Sequence, residues 1–318
     1  MEEAFIGEIL AGDRRAVARA ISMVEDGTPE LPELSAALYP HTGRAYTVGL
    51  TGSPGVGKSS LAEQLVRAAR SRDLTVAVLA IDPTSPFTGG ALLGDRLRMQ
   101  AHATDPGVFI RSMATRGHLG GMALAAPEAI RVLDASGVDL VMVETVGVGQ
   151  VEVEVAKATD TTLVVVTPGW GDSIQVAKAG ILEIADVFVV NKADGEGAPR
   201  AAADLEAMLG MGEKHDWVPP VVSTSATDGS GVDELWDSID RHRKHLESTG
   251  SLGEKRRRRL LAEVEGMVAL RLRDRVTAML DGGVNSDLAQ GLMSREIDPY
   301  AASARLAEQA EAGGDRAG

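Results

Sequence analysis

The chain has 318 residues, 44% of them hydrophobic, so it can bury a substantial core, and its formal net charge of -14 disfavours a general affinity for nucleic acid or an anionic membrane. Cysteine is absent, which excludes disulfides and thiolate metal sites and suits a reducing compartment. No stretch approaches transmembrane length, and Met1 to Leu10 opens on acidic residues where a signal peptide carries positive charge; no membrane or nucleic-acid partner is expected and the location is read as cytoplasmic.

Residues 1 to about 40 combine apolar spacing with Arg14, Arg15 and Arg19, as short amphipathic helices do, and end at the turn-prone run Tyr39-Pro40-His41-Thr42-Gly43. They predict an N-terminal helical extension over residues 1–43. From residue 46 short apolar, β-branched runs alternate with helix-like segments: Tyr46 to Leu50, Leu74 to Ile81, Val108 to Arg111, Val138 to Val143, Thr162 to Val166, Val187 to Val190 and Val221 to Ser223. This alternation predicts an α/β domain over residues 44–240, a mostly parallel sheet flanked by helices, with ligands at the carboxyl ends of the strands. Beyond it residues 241–318 are charged and helix-favouring and predict a C-terminal helical arm. The basic run Lys255-Arg256-Arg257-Arg258-Arg259 leads into Leu260, Leu261, Val264, Met267, Val268 and Leu270 at helical spacing, so a solvated or partner-facing helix face is expected in preference to a nucleic-acid patch. His242 and His245, three apart on a helix with no carboxylate or Cys pattern beside them, are expected at the surface.

Between the first apolar run and a helix-like stretch lies Gly52-Ser53-Pro54-Gly55-Val56-Gly57-Lys58-Ser59, followed by Ser60, the strand, loop and helix context of a phosphate-binding P-loop. The glycines let successive backbone N–H groups turn inward around a phosphate, the helix N-terminus adds partial positive charge, and Lys58 offers a point charge to the outer phosphates. Ser59 is placed to ligate Mg²⁺ through its hydroxyl.

Asn191-Lys192-Ala193-Asp194 closes another apolar run and has the N-K-x-D spacing that reads guanine. A carboxylate at Asp194 accepts from the ring N–H and exocyclic amine of guanine, whereas adenine leaves that acceptor unpaired. With Ser223-Thr224-Ser225-Ala226 at the end of the next strand, where the Ser225-Ala226 backbone can meet the guanine oxygen, the ligand is read as GTP or GDP rather than ATP. Glu144 ends its own run before Thr145-Val146-Gly147 and can hold Mg²⁺ directly or through water. Asp82 and Asp95 either reach the metal shell and orient the attacking water or cap helices. Lys58, Asp82, Asp95 and Glu144 thus form the expected catalytic set, with Ser59, Asp82, Asp95 and Glu144 as the Mg²⁺ set. Val148 stands where Ras-like enzymes carry a water-positioning Gln, so slow, partner-dependent hydrolysis is expected, with Arg96, Arg98, Arg111 and Arg116 as candidate charge stabilisers.

Taken with Ala80-Ile81-Asp82-Pro83-Thr84-Ser85-Pro86, Gly89 to Arg96, Thr115 to Gly121 and Glu144 to Gln150, these motifs resemble the MeaB/ArgK family of P-loop GTPases over nearly the whole chain. The resemblance implies a GTPase chaperone that gates cofactor loading into an adenosylcobalamin-dependent acyl-CoA mutase and protects that enzyme, working as a homodimer through the C-terminal arm. It also implies switch I over Gly89 to Met99, switch II over Glu144 to Gln150, and a third switch at Thr167 to Lys178 in which Asp172, Gln175 and Lys178 match the polar positions. Ser173-Ile174 departs from the usual Glu-Leu there. Two other readings are a metallochaperone GTPase of the nickel-insertion kind, which would want Cys or His clusters, and a transport-associated kinase, which would need an acceptor other than water.

Overall fold

The computed structural model describes residues 2–83, 102, 104–115, 121–145, 155–169, 183–211, 216–281 and 285–312. The chain divides into two compact units, Met1–Arg259 and Leu260–Gly318. In the first, seven parallel strands form one sheet in the order β3-β2-β4-β1-β5-β6-β7: β1 Tyr46–Thr51, β2 Val76–Pro83, β3 Val108–Thr115, β4 Leu140–Thr145, β5 Thr161–Val166, β6 Val187–Asn191 and β7 Val221–Thr224. They are the seven apolar runs of the sequence. Strands β1, β4, β5 and β6 are buried along their whole length, as strands covered on both faces must be.

Alternate side chains of each strand feed different cores. Val48, Leu50, Val76, Val78, Met142 and Val165 pack with α4 (Lys58–Arg70) and α7 (Val232–Ser248) on one face. Ala77, Leu79, Ile81, Val141 and Val143 pack on the other with α5 (Gly121–Ala135) and the N-terminal helices α1 (Glu3–Leu10), α2 (Arg14–Asp26) and α3 (Leu31–Leu38). Toward the β6 end that face is continued by α6 (Ala198–Gly210). Helix α2 starts where the Asp13 carboxylate accepts from the Arg15 and Ala16 N–H groups, both at 2.9 Å, and stops at Gly27 in the left-handed region at φ 59°. Its face is sealed to the sheet edge by Arg111 of β3, which donates to Glu25 at 2.7 Å and Ser22 Oγ at 2.9 Å.

The N-terminal ends of β1 and β5 are locked by charge. Asp134 accepts the N–H groups of Gly43, Arg44 and Ala45, at 2.5, 3.1 and 2.9 Å, and Arg256 donates to the carbonyls of Gly43 and Ala45 at 2.8 and 2.9 Å. Asp160, 0% exposed, accepts from Arg256 Nη2 at 2.7 Å, Arg259 Nη2 at 3.1 Å and Thr47 N at 3.1 Å. Burial pushes its carboxyl pKa up, but the two guanidiniums and the Thr47 N–H outweigh that and hold it below the usual carboxylate value. Lys255 donates to Asp160 O at 2.8 Å and to Asp186 at 3.0 Å. The basic run at the start of α8 (Ser251–Asp281) is therefore a clamp inside the first unit and not the solvated face its composition suggests; Arg257 and Arg258 alone of the run look outward, to Glu254.

His242 is likewise buried, at 2% exposure, and not at the surface. Its Nε2 lies 3.3 Å from Asp186 Oδ1 and its Nδ1 shares a 2.8 Å hydrogen bond with Thr161 Oγ1, while Trp217 packs on the ring. The charged groups facing it are Asp186, Asp160, Lys255 and His245; burial dominates and lowers its pKa from 6.5 to about 4. Because the folded value lies below the unfolded one, the unfolded chain takes up the proton first as pH falls, and stability drops between these two values. From pH 7 to pH 4 this residue is expected to cost about 3 kcal/mol. Urea unfolding of His242→Gln across that range checks it: the variant should lose less stability than the wild type, and parallel losses would dismiss the assignment.

In the second unit, α9 (Asn285–Ser294) packs against α10 (Pro299–Ala312), which Asp298 caps through the N–H groups of Tyr300 and Ala301. Along α8 the side chains of Leu260, Leu261, Val264, Val268 and Leu272 are exposed. No helix among the described residues is long and apolar enough to cross a membrane.

Candidate nucleotide site

Strand β1 sits at the centre of the sheet with β4 and β5 on either side, so the loop leaving its carboxyl end falls where an open parallel sheet binds ligands. That loop is wedged. Gly52 has φ 136°, and a Cβ there would stand 2.1 Å from the Val165 carbonyl oxygen; Gly57 has φ 93°, and a Cβ there would meet Asn191 Nδ2 at 2.5 Å. Only glycine fits at either place. Side-chain donors take the outward carbonyls: Lys58 Nζ donates to Gly52 O at 2.6 Å and Ser53 O at 3.1 Å, Lys192 Nζ to Gly55 O at 2.9 Å, and Asn191 Nδ2 to Val56 O at 2.8 Å. Ser53, Pro54 and Gly55 are exposed at the loop tip and Ser60 follows in the first turn of α4. The N-cap of that helix is Gly57, which has no side chain to occupy the first N–H groups. A concave run of backbone donors with a lysine at its rim attracts polyphosphate.

Beside it the register pairs Leu50 of β1 and Ala80 of β2 with Glu144 of β4. Ser59 Oγ donates to Glu144 Oε1 at 2.5 Å, and both residues are buried. A hydroxyl and a carboxylate converging below a phosphate cradle form the hard oxygen set that Mg²⁺ takes, together with phosphate and water. Asp82 stands near the carboxyl end of β2, where the register pairs it with Ala114 of β3. Its side chain and all of Asp95 lie outside the described residues, as do Arg96, Arg98, Arg116, Val148 and the third-switch positions Asp172, Gln175 and Lys178. Arg111 is not a charge stabiliser at this site, because its guanidinium is held by Glu25 and Ser22 of α2.

The second wall comes from β6 and β7. Asn191 pairs in register with Thr224, and its Oδ1 accepts from Thr224 Oγ1 and the Ala226 N–H, both at 3.2 Å. Lys192 takes a left-handed φ of 59°, which turns its side chain back over the P-loop and leaves Asp194 exposed at the rim. Ser225 is buried, and the turn after it closes through Ser225 N to Ser230 O at 3.0 Å and Gly229 N to Ser225 O at 2.9 Å. Asn191 thus joins the two polar motifs from about 135 residues apart in sequence.

A family model described as methylmalonyl Co-A mutase-associated GTPase MeaB matches residues 17–281. The chain belongs to the MeaB family. It is 50% identical over 318 residues to a protein of Pyrococcus abyssi (strain GE5 / Orsay), covering 99% of this chain and 98% of that one. To the mitochondrial methylmalonic aciduria type A homolog of Mus musculus it is 34% identical over 267 residues, 78% of this chain and 64% of the other. Among solved structures it is similar to a crystal structure described as an LAO/AO transport system kinase, with a TM-score of 0.75 and 27% identity over 98% of this chain and 99% of that one.

The MeaB-family site also uses residues that carry no motif. Gln64, on α4, donates from Nε2 to Ala226 O at 2.9 Å, and Gly231, at φ 75°, lets the chain pass where a Cβ would be 2.0 Å from Ser223 O. The glycine after a Ser-Gly turn is visible in sequence; the glutamine's partner is not, since it lies 162 residues away.

Proposed function

We propose that this MeaB-family chain binds and hydrolyses GTP as a switch that gates adenosylcobalamin loading into a cobalamin-dependent acyl-CoA mutase, methylmalonyl-CoA mutase first among them, and protects that enzyme. The observation that carries the reading is the direct joining, through Asn191 and Lys192, of a phosphate cradle to an N-K-x-D segment in a chain of a mutase-associated GTPase family. The backbone N–H groups of Gly55 to Ser60 would hold the phosphates, and Lys58 the outermost one. Ser59 and Glu144 would hold Mg²⁺, which when bound draws charge off the phosphate oxygens. Asp194 would accept from the guanine N–H groups. The Ala226 N–H, held by Asn191 at the long limit of a hydrogen bond, would be shared with the guanine oxygen. Asp82 and Asp95 are kept as candidates for orienting water and completing the metal shell.

By the family resemblance, a response of segments 89–99, 144–150 and 167–178, including Asp172, Gln175 and Lys178, to the γ-phosphate would supply the surface that a mutase senses. The exposed apolar residues at Leu260, Val264, Val268 and Leu272, four apart along α8, support a homodimer formed through the arm. We infer a cytoplasmic protein with no nucleic-acid or membrane partner from its net charge of -14 and its lack of cysteine.

The test is GTP hydrolysis by the purified protein, alone and with the methylmalonyl-CoA mutase of the same organism, with ATP and Lys58→Ala as controls. Stimulation that requires GTP and Lys58 supports the chaperone. Unchanged slow hydrolysis with no complex on size exclusion in either nucleotide state sends the search to another client. Transfer of radiolabel from γ-labelled GTP to an acceptor other than water would favour a kinase instead.

A further inference from the structure

We propose that Gln64 is a positioning residue for the base, the strut by which the phosphate-side helix α4 holds the 225–230 turn at the height where its backbone can read the guanine oxygen. The inference rests on the guanine reading above and names a determinant of it that lies in neither motif. Gln64 stands six residues after Lys58, about 9 Å further along the helix axis. This is far enough for one rigid element to reach from the phosphate cradle to the base pocket.

The orientation of the amide is set by its surroundings. Ala226 O can only accept, so the nitrogen of Gln64 must face it, and the 2.9 Å bond follows. The amide oxygen turns toward Gly229, where a Cβ would stand 3.4 Å away, so the side chain is packed as well as bonded. Ala226 is therefore held on both sides: Gln64 pulls on its carbonyl while Asn191 accepts its N–H. Two of the turn's other backbone bonds, Ser225 N to Ser230 O and Gly229 N to Ser225 O, are internal, and a third, Val232 N to Gly229 O at 3.3 Å, ties it to the start of α7. Among the described residues, Gln64 supplies the hydrogen bond from the helix that begins at Lys58 to this turn.

Two substitutions remove the donor and keep the volume: Gln64→Met, which leaves the packing on Gly229, and Gln64→Glu, which sets a carboxylate against a carbonyl. Release of methylanthraniloyl-GDP is measured by displacement with excess GDP, and the same is done with the 2-aminopurine riboside diphosphate, which lacks the guanine oxygen and, in wild type and variants alike, the ring N–H that Asp194 would accept. Losing one partly buried hydrogen bond should speed GDP release about three- to tenfold. The wild type should release the 2-aminopurine analogue faster than GDP, and both variants should narrow that gap, because the affinity they lose belongs to the oxygen contact. Thermal melting of each variant without nucleotide should stay close to the wild type.

GDP release unchanged in both variants would overturn the proposal. So would equal acceleration of both nucleotides, which would mean a loosened fold and no role at the base. A wild type that does not distinguish guanine from adenine nucleotides would overturn the guanine reading itself and this inference with it, an outcome separable from the others because it needs no variant.

Discussion

Replacing Lys58 by alanine is expected to lower single-turnover GTP hydrolysis at least about a hundredfold, the usual cost of removing one preorganised donor from a developing charge. Lys58 is 5% exposed and its ammonium lies on two loop carbonyls, 2.6 Å from Gly52 O and 3.1 Å from Ser53 O, so it is fixed at the rim of the cradle before any phosphate arrives. Preorganisation of this kind matters because no side-chain reorganisation has to accompany the chemistry. Arginine should not restore the rate, since a planar fork cannot sit where a compact ammonium bridges two adjacent carbonyls. Enzyme in excess over labelled GTP, with the circular dichroism of the variant unchanged, isolates the effect. A variant rate within about threefold of the wild type would remove Lys58 from the transition state, given the hundredfold loss such donors ordinarily show.

Asp160→Ala is expected to destabilise the chain by about 3–5 kcal/mol, the range found when one partner of a buried ion pair is removed. That is a large fraction of the 5–15 kcal/mol that ordinarily separates folded from unfolded states. The loss comes less from the missing attraction than from what remains: Arg256 and Arg259 would each lose a carboxylate that is 0% exposed, and the Thr47 N–H would lose its acceptor. The midpoint of urea denaturation measures it. A second variant separates the two contributions, because Asp160→Ala combined with Arg256→Met and Arg259→Met should recover part of the loss by removing charges that have lost their buried partner. If Asp160→Ala alone unfolds at the wild-type urea concentration, the Asp160 ion pairs contribute nothing net and the start of α8 is held by its other contacts.

The local parts of this molecule could be read from its sequence. The seven strands announce themselves as β-branched apolar runs, and the P-loop and N-K-x-D segments carry their chemistry in consecutive residues. What could not be read are the groups whose partners are far along the chain. The basic run at 255–259 looks solvated on any helical projection, because a projection shows a helix's own face and not Asp160, which lies 96 residues before Arg256. His242 has no ligand pattern around it in sequence, yet Thr161 is brought to it from 81 residues away. Gln64 is an unremarkable polar position on an amphipathic helix until β7 delivers Ala226 beside it. Arg111 was a reasonable charge stabiliser by type and strand position, and only the packing of α2 shows that Glu25 holds it.

The sharing of one core by α1, α2 and α3 with α5 and the β2 and β4 strands sets an order of events during synthesis. Ile9, Val17, Ile21 and Leu34 are made first, but the side chains they pack against, Leu133, Val141 and Val143 among them, are about a hundred residues away in the nascent chain. At ordinary elongation rates that gap is roughly 5–20 s, long on the scale of local helix formation and hydrophobic collapse. For that interval α1 to α3 carry an apolar face whose partners have not yet been made, and the face stays uncovered until α5 and β4 emerge.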